Sequence, residues 1–249
     1  MRKTPTIVLG LAATLAMAGG AIAQTAEPSH TSQVKVSTTK AGTKKKPKAV
    51  GTQLTIANSR ASGTTAKRVE VFFDKNIRMN PKGFPTCSAS KIETDGPAAC
   101  PSGSRLGVGT AAALVNPTSA TPAPLAFKNT FFVGSSKSLT MYLEQTTGDV
   151  RAILTGKISN GGGAYGQKLT IDIPANLQQP APGVYSALTD ISSKLQGTTG
   201  SGSKKHGFFE SIGCTGGTYK FQTKLTYAPN PNPPSKATST NSGSGKCKK

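Results

Sequence analysis

The strongest signal along this chain is alternation. In 219–227, "YKFQTKLTY", Tyr219, Phe221, Leu225 and Tyr227 share one face while Lys220, Gln222 and Lys224 share the other. A period of two marks a strand with one buried side. "KLTIDI" (168–173) repeats it, with Leu169, Ile171 and Ile173 inward and Lys168 and Asp172 outward. "SLTMYLE" groups Leu139, Met141 and Leu143, and "RVEVFF" groups Val69, Val71 and Phe73. Weaker runs occupy 52–57, 106–115, 125–133, 151–159, 184–195 and 206–212. Turn chemistry separates them: "TTGD" (146–149) and "SNGGGAYGQ" (159–167) suit hairpins. No convincing helical period is present, although 184–195 has room for a short helix, and no internal repeat is found. Short strands punctuated in this way predict one all-β domain over 50–228, a single antiparallel β-sandwich or jelly roll.

Both ends of the chain read differently. Arg2 and Lys3, an apolar stretch from Ile7 to Ala18 broken only by Thr14, and the small-x-small run Ala21-Ile22-Ala23 predict a signal peptide over 1–23. The apolar stretch is short for a membrane span, and no later stretch is apolar enough to be one. Residues 24–49, ending in "TKKKPK", and 229–249, "PNPNPPSKATSTNSGSGKCKK", show no apolar period. Both are expected to be disordered basic tails, because neither buries enough surface to offset the entropy of ordering.

Export changes how the cysteines read. Cys87, Cys100, Cys214 and Cys247 are expected to pair in an oxidising compartment. Four cysteines allow three pairings, and sequence does not choose among them. Cys87–Cys100 with Cys214–Cys247 is favoured because each bond then closes a local loop. A zinc site needs four closely spaced ligands, and the only histidines are His30 and His206. No metal and no cofactor is expected.

The blocks "NPKGFPTC" (80–87) and "CPSGSRLGVGT" (100–110), with the later "CTGG" (214–217) before a tyrosine-bearing strand, resemble a group of uncharacterised secreted β-rich proteins of actinobacteria. That group shares an N-P-x-G-F-P-T-C block and a C-P-x-G-S-x-V/L-G-x-G block. The resemblance implies export, disulfides and a β-rich fold. It carries no activity across.

Catalytic constellations are not evident. His206 follows Lys204 and Lys205, which oppose the imidazolium a Ser–His–acid triad forms, and no G-x-S-x-G elbow exists. Glu70, Glu144, Asp172 and Asp190 fall opposite the apolar positions, so they read as solvated outer-face residues rather than a glycosidase pair. Carbohydrate stacking needs exposed rings; Tyr142 and Tyr165 are the candidates, and the chain has no Trp.

Charge then narrows the classes. The net charge is +20, or +18 once Arg2 and Lys3 are removed with the signal. Lys44, Lys45, Lys46 and Lys48, with the outward Lys168, Lys220 and Lys224, are candidate anion contacts. Basic and aromatic residues are not interleaved as in nucleic-acid readers, so no specific nucleic-acid recognition is expected. The expected function is a non-enzymatic protein, secreted or in the cell envelope, binding anionic cell-wall or extracellular polymers electrostatically. A carbohydrate-binding or carbohydrate-hydrolysing jelly roll is the alternative, and a structural module of a surface assembly a third. Sequence does not address oligomeric state.

Overall fold

The structure, a computed structural model, describes residues 27–59, 63–229 and 236–249. The expected signal peptide therefore lies outside the described residues, as do 24–26 and 230–235 of the expected tails.

Eleven strands form one sheet. In chain order they are β1 (His30–Val36), β3 (Thr52–Asn58), β4 (Ala66–Asp74), β6 (Arg105–Val115), β7 (Ala123–Ser135), β8 (Ser138–Gln145), β9 (Arg151–Gly162), β10 (Tyr165–Asp172), β11 (Ser186–Leu195), β15 (Thr218–Tyr227) and β16 (Thr238–Lys246). A second small sheet joins β2 (Lys48–Val50), β5 (Ile77–Met79) and β14 (Phe209–Ser211), and a third pairs β12 (Thr198–Thr199) with β13 (His206–Gly207). Two short helices, α1 (Ala89–Asp95) and α2 (Ala175–Gln178), complete the chain.

The spatial order of the large sheet is β1-β3-β11-β6-β7-β8-β9-β10-β4-β15-β16, and every neighbouring pair is antiparallel. The all-β class read from the sequence is what the chain adopts. Its opposing layers face one another as in a sandwich, but they belong to a single sheet rolled into a nearly closed barrel. The alternating runs supply its inner face: Val69, Val71, Phe73, Leu139, Met141, Leu143, Leu169, Phe221 and Leu225 are all buried in one core. The 184–195 run is strand β11, with a bulge between Leu188 and Asp190 rather than a helix.

The expected tails need correction. Residues 30–36 and 238–246 are not disordered arms but the two outermost strands of the barrel. Alternation missed them because they carry few apolar side chains to order. β16 is held by its backbone ladder to β15, from Thr218↔Lys246 to Thr226↔Thr238, and by the Cys214–Cys247 disulfide. β1 is held by its ladder to β3. The folded unit therefore extends beyond 50–228 at both ends.

The barrel closes in an unusual way that follows from strand parity. Eleven alternating strands leave the first and last pointing the same way, so β1 and β16 run parallel. Side chains join them instead of a ladder. The Ser32 amide and hydroxyl both donate to Asn241 Oδ1, at 3.1 and 2.9 Å, and Thr223 donates to Ser32 Oγ at 2.7 Å. The His30 ring lies between Thr223 Oγ1 (2.8 Å) and Ser239 Oγ (2.5 Å). Tyr227 donates to Asn58 Oδ1 at 2.9 Å, tying β15 across to β3. Beyond both strands a parallel bridge joins Lys40 and Lys248, with the Ala41 and Lys248 amides donating to the carbonyls of Lys248 and Thr39.

Both disulfides have the favoured pairing, Cys87–Cys100 and Cys214–Cys247. Such bonds persist in an oxidising environment. The first loop is more ordered than its polar sequence suggests. Ser88 caps α1 by accepting from the Lys91 amide (3.2 Å), Gly96 ends the helix at φ 80°, and Lys91 pairs with Asp95 one turn on (2.9 Å). Ile92 packs with Cys87, Phe132 and Tyr142, so the helix is clamped over the outer face of β7 and β8.

Candidate functional site

The barrel interior is not filled. On β6 the residues facing Leu125, Phe127, Asn129 and Phe131 of β7 are Ala113, Ala111, Gly109 and Gly107. A Cβ at Gly107 or Gly109 would overlap the carbonyl oxygens of Lys194 or Ser192 on β11, so these glycines permit the close approach of two backbones. Further along, Ala111 and Ala113 offer only methyl groups. A strand with so little inward volume leaves a gap that larger side chains on other strands do not cross. The result is a cavity of about 340 Å³ walled by Phe127, Met141, Leu143, Leu169, Ile171 and Leu188, among others. An engineered apolar cavity of about 150 Å³ stays dry and takes up benzene, and small-molecule sites begin near about 300 Å³.

The two ends of the cavity differ. One is plugged by aromatic rings: Phe73 and Phe208 contact Phe209 with centroids 5.3 and 5.1 Å apart, and Phe84 meets Phe208 at 6.1 Å. Phe208 and Phe209 come from "KKHGFF", Phe84 from "NPKGFPTC" and Phe73 from "RVEVFF", and the small β2-β14-β5 sheet positions the Phe209 end of the plug. At the other end Val150, 43% exposed, Arg151, Asn176 and Pro180 form the rim, and α2 lays Leu177 against the wall. Arg151 is exposed and stands 4.0 Å from Glu144.

Among the polar residues that interrupt the apolar wall, Asn129 stands out as buried and unpartnered. Asn129 is 2% exposed, lines the cavity, and neither its Oδ1 nor its Nδ2 has a hydrogen-bond partner among the described residues. Sequence reading did not single it out. The signal was available: in "LAFKNTFFV" the period of two puts Asn129 in phase with Leu125, Phe127, Phe131 and Val133.

The residues singled out from the sequence fall elsewhere. Tyr142 is not an exposed ring. It does sit on the outer face with Glu144, as its phase required, but α1 and Ile92 cover it. Tyr165 is half-buried against Phe72, 5.5 Å between centroids. Tyr219 and Tyr227 are core. Glu70 is on the outer face yet buried rather than solvated, because Lys168 covers it, with Nζ 2.6 Å from the carboxylate and 5.4 Å above the Phe72 ring. Lys224 stands opposite Glu70 in register on β15, so Lys168 and Lys224 flank one acid, with Lys220 exposed one turn of the pleat away. Asp172 pairs with Arg68 at 2.5 Å. Lys44, Lys45 and Lys46 are exposed in a tight turn closed by Thr43, and Lys48 begins β2. That turn is separate from the Lys168–Lys224 face. His206, on β13, is half-buried and packs its ring edge-on to Phe84 at 5.6 Å.

Among the described residues no group of His, Cys, Asp and Glu is placed to hold a metal ion, and no helix is long and apolar enough to cross a membrane. Neither a protein-family model, nor a curated protein, nor a solved structure matches this chain.

Proposed function

We propose that this is an exported, non-enzymatic carrier that holds an apolar small molecule inside its barrel. The observation that supports it is the apolar cavity, closed at one end by phenylalanines and rimmed by Val150 and Arg151 at the other. A well-packed core leaves few voids larger than a water molecule. A void this large forfeits contacts that the chain could have gained with bigger residues at Ala111 and Ala113, and a ligand restores them. The test is uptake of N-phenyl-1-naphthylamine, which brightens in apolar surroundings, by the secreted full-length protein. Saturable uptake is expected, and Ala111→Leu, which pushes a side chain into the gap, should weaken it at least about tenfold. No fluorescence gain, or equal uptake by the variant, would remove this reading.

A second reading concerns the outer surface. Arg68, Arg78, Lys91 and Lys168 each pair closely with an acid, as Arg151 does more loosely, so these five cations account for half of the ten acids and leave a large positive excess. This supports electrostatic attraction to anionic envelope or extracellular polymers. The lysines that would act are on ordered strands and turns, not on flexible arms. Retention on a heparin column should fall as salt rises, and Lys44, Lys45 and Lys46 changed together to Gln should elute earlier. Elution indifferent to ionic strength would end the idea. The glycan-binding alternative keeps only Tyr165 of its two rings, because Tyr142 is covered.

A further inference from the structure

Resting on the carrier reading, we infer that the ligand is an apolar chain bearing one neutral hydroxyl or amide, which Asn129 binds inside the barrel. The wall sets the chain and Asn129 sets the group. A primary amide has both donors and acceptors, and here Oδ1 and Nδ2 are both unpartnered in an apolar chamber. Left so, they carry a desolvation penalty that most buried polar groups avoid. The complement is a group that donates to Oδ1 and accepts from Nδ2, and a hydroxyl or an amide does both.

The group is neutral because the inner wall supplies no charge to meet an ion. Arg151 is the charged residue of the lining, and it stands at the solvent rim beside Glu144. A carboxylate carried past it would lose its hydration without a counter-charge. Burial argues the same way. Asn129 is 2% exposed, so a group that meets it has left solvent. Across Gly109 on β6, in the same row, Ser193 of β11 presents another polar side chain to the cavity. The polar patch is therefore a localised stripe with apolar surface above and below it.

The experiment compares decane, 1-decanol, 5-decanol and decanamide as competitors for N-phenyl-1-naphthylamine bound to the full-length protein, wild type and Asn129→Leu. Wild type should favour decanamide and at least one alcohol over decane by about tenfold or more, since the alkane leaves the amide unpaired. The two alcohols report whether the group enters at a chain end or part-way along. In Asn129→Leu, a change of similar shape, that preference should shrink to within about twofold and the ligand-free melting temperature should rise, because the unpaired amide is gone. Equal competition by decane and the polar probes in wild type would overturn this inference while leaving the carrier reading standing; so would a preference that survives in Asn129→Leu. Failure of wild type to take up the dye at all would overturn both. If Asn129→Leu is not recovered folded, Asn129→Ala serves for the same comparison.

Discussion

Glu210 sits deeper than any ordinary surface acid, 1% exposed on β14, and its carboxylate accepts from Arg78 Nε at 2.6 Å and from Asn80 Nδ2 at 3.2 Å. A buried anion tolerates loss of its charge better than loss of its partner. Arg78→Ala should therefore cost about 3–5 kcal/mol, because it strands the carboxylate. Glu210→Gln should cost about 1 kcal/mol, since the amide still accepts from both neighbours and the half-exposed Arg78 turns to water. Urea denaturation of the two variants checks this, and similar midpoints would show that the pair does not act as described. The same residue-by-residue logic explains what could be read in advance. Asn129 was legible in principle, as a polar residue in phase with apolar ones. Tyr142 was not. Its phase gave the right face, but the helix that covers it comes from a segment some fifty residues earlier, whose helicity rests on one serine cap and a seven-residue span. Alternation reports which side of a sheet a residue is on; it does not report what else lies over that side.

At the scale of elements, the strands divide by what holds them. β4, β8, β10 and β15 carry apolar inner faces and announced themselves through the period of two. β1 and β16 are polar strands recruited by backbone pairing to partners that already had a buried face. Of the residues they bury, Ser239 and His30 are polar and only Val34 is apolar, too sparse a hydrophobic signature to stand out, so composition pointed to disorder. That division predicts how β16 fails. The Cys214–Cys247 loop, with a sequence separation of 33, should contribute about 4 kcal/mol, and the Cys87–Cys100 loop, with a separation of 13, about 3 kcal/mol. Changing Cys214 and Cys247 together to Ser should lower the melting temperature more than the same change at Cys87 and Cys100. Ending the chain at Ala228 should do worse, because it bares β15 as a long sheet edge whose polar groups seek another strand. Light scattering of the truncated protein should show oligomers or aggregate. A monomer with the parent's melting temperature would return β16 to the status of a tail.

For the molecule as a whole, the decisive feature is the seam. Parity denies β1 and β16 an antiparallel ladder, so closure depends on a small polar network centred on His30. Burial holds the His30 imidazole below its ordinary pKa of 6.5, with a hydrogen bond at Thr223 opposing in part. The hydroxyls of Thr223 and Ser239 that touch the ring are uncharged, so nothing at the seam compensates a proton. A base whose folded pKa is depressed is protonated more readily after unfolding. Its contribution is therefore complete above 6.5 and is lost as pH falls through 6.5 toward the lower folded value. The barrel should melt at progressively lower temperature between about pH 7.5 and about pH 5. His30→Gln keeps a donor and an acceptor at the seam but cannot titrate, so the difference in melting temperature between the two proteins should narrow as the medium becomes acidic. Because β1 also gives Val34 to the wall of the chamber that holds Asn129, loosening the seam should also speed the loss of a bound probe at low pH in wild type and not in His30→Gln. Melting curves that run parallel for the two proteins across that window would mean that closure of the barrel does not depend on a neutral His30.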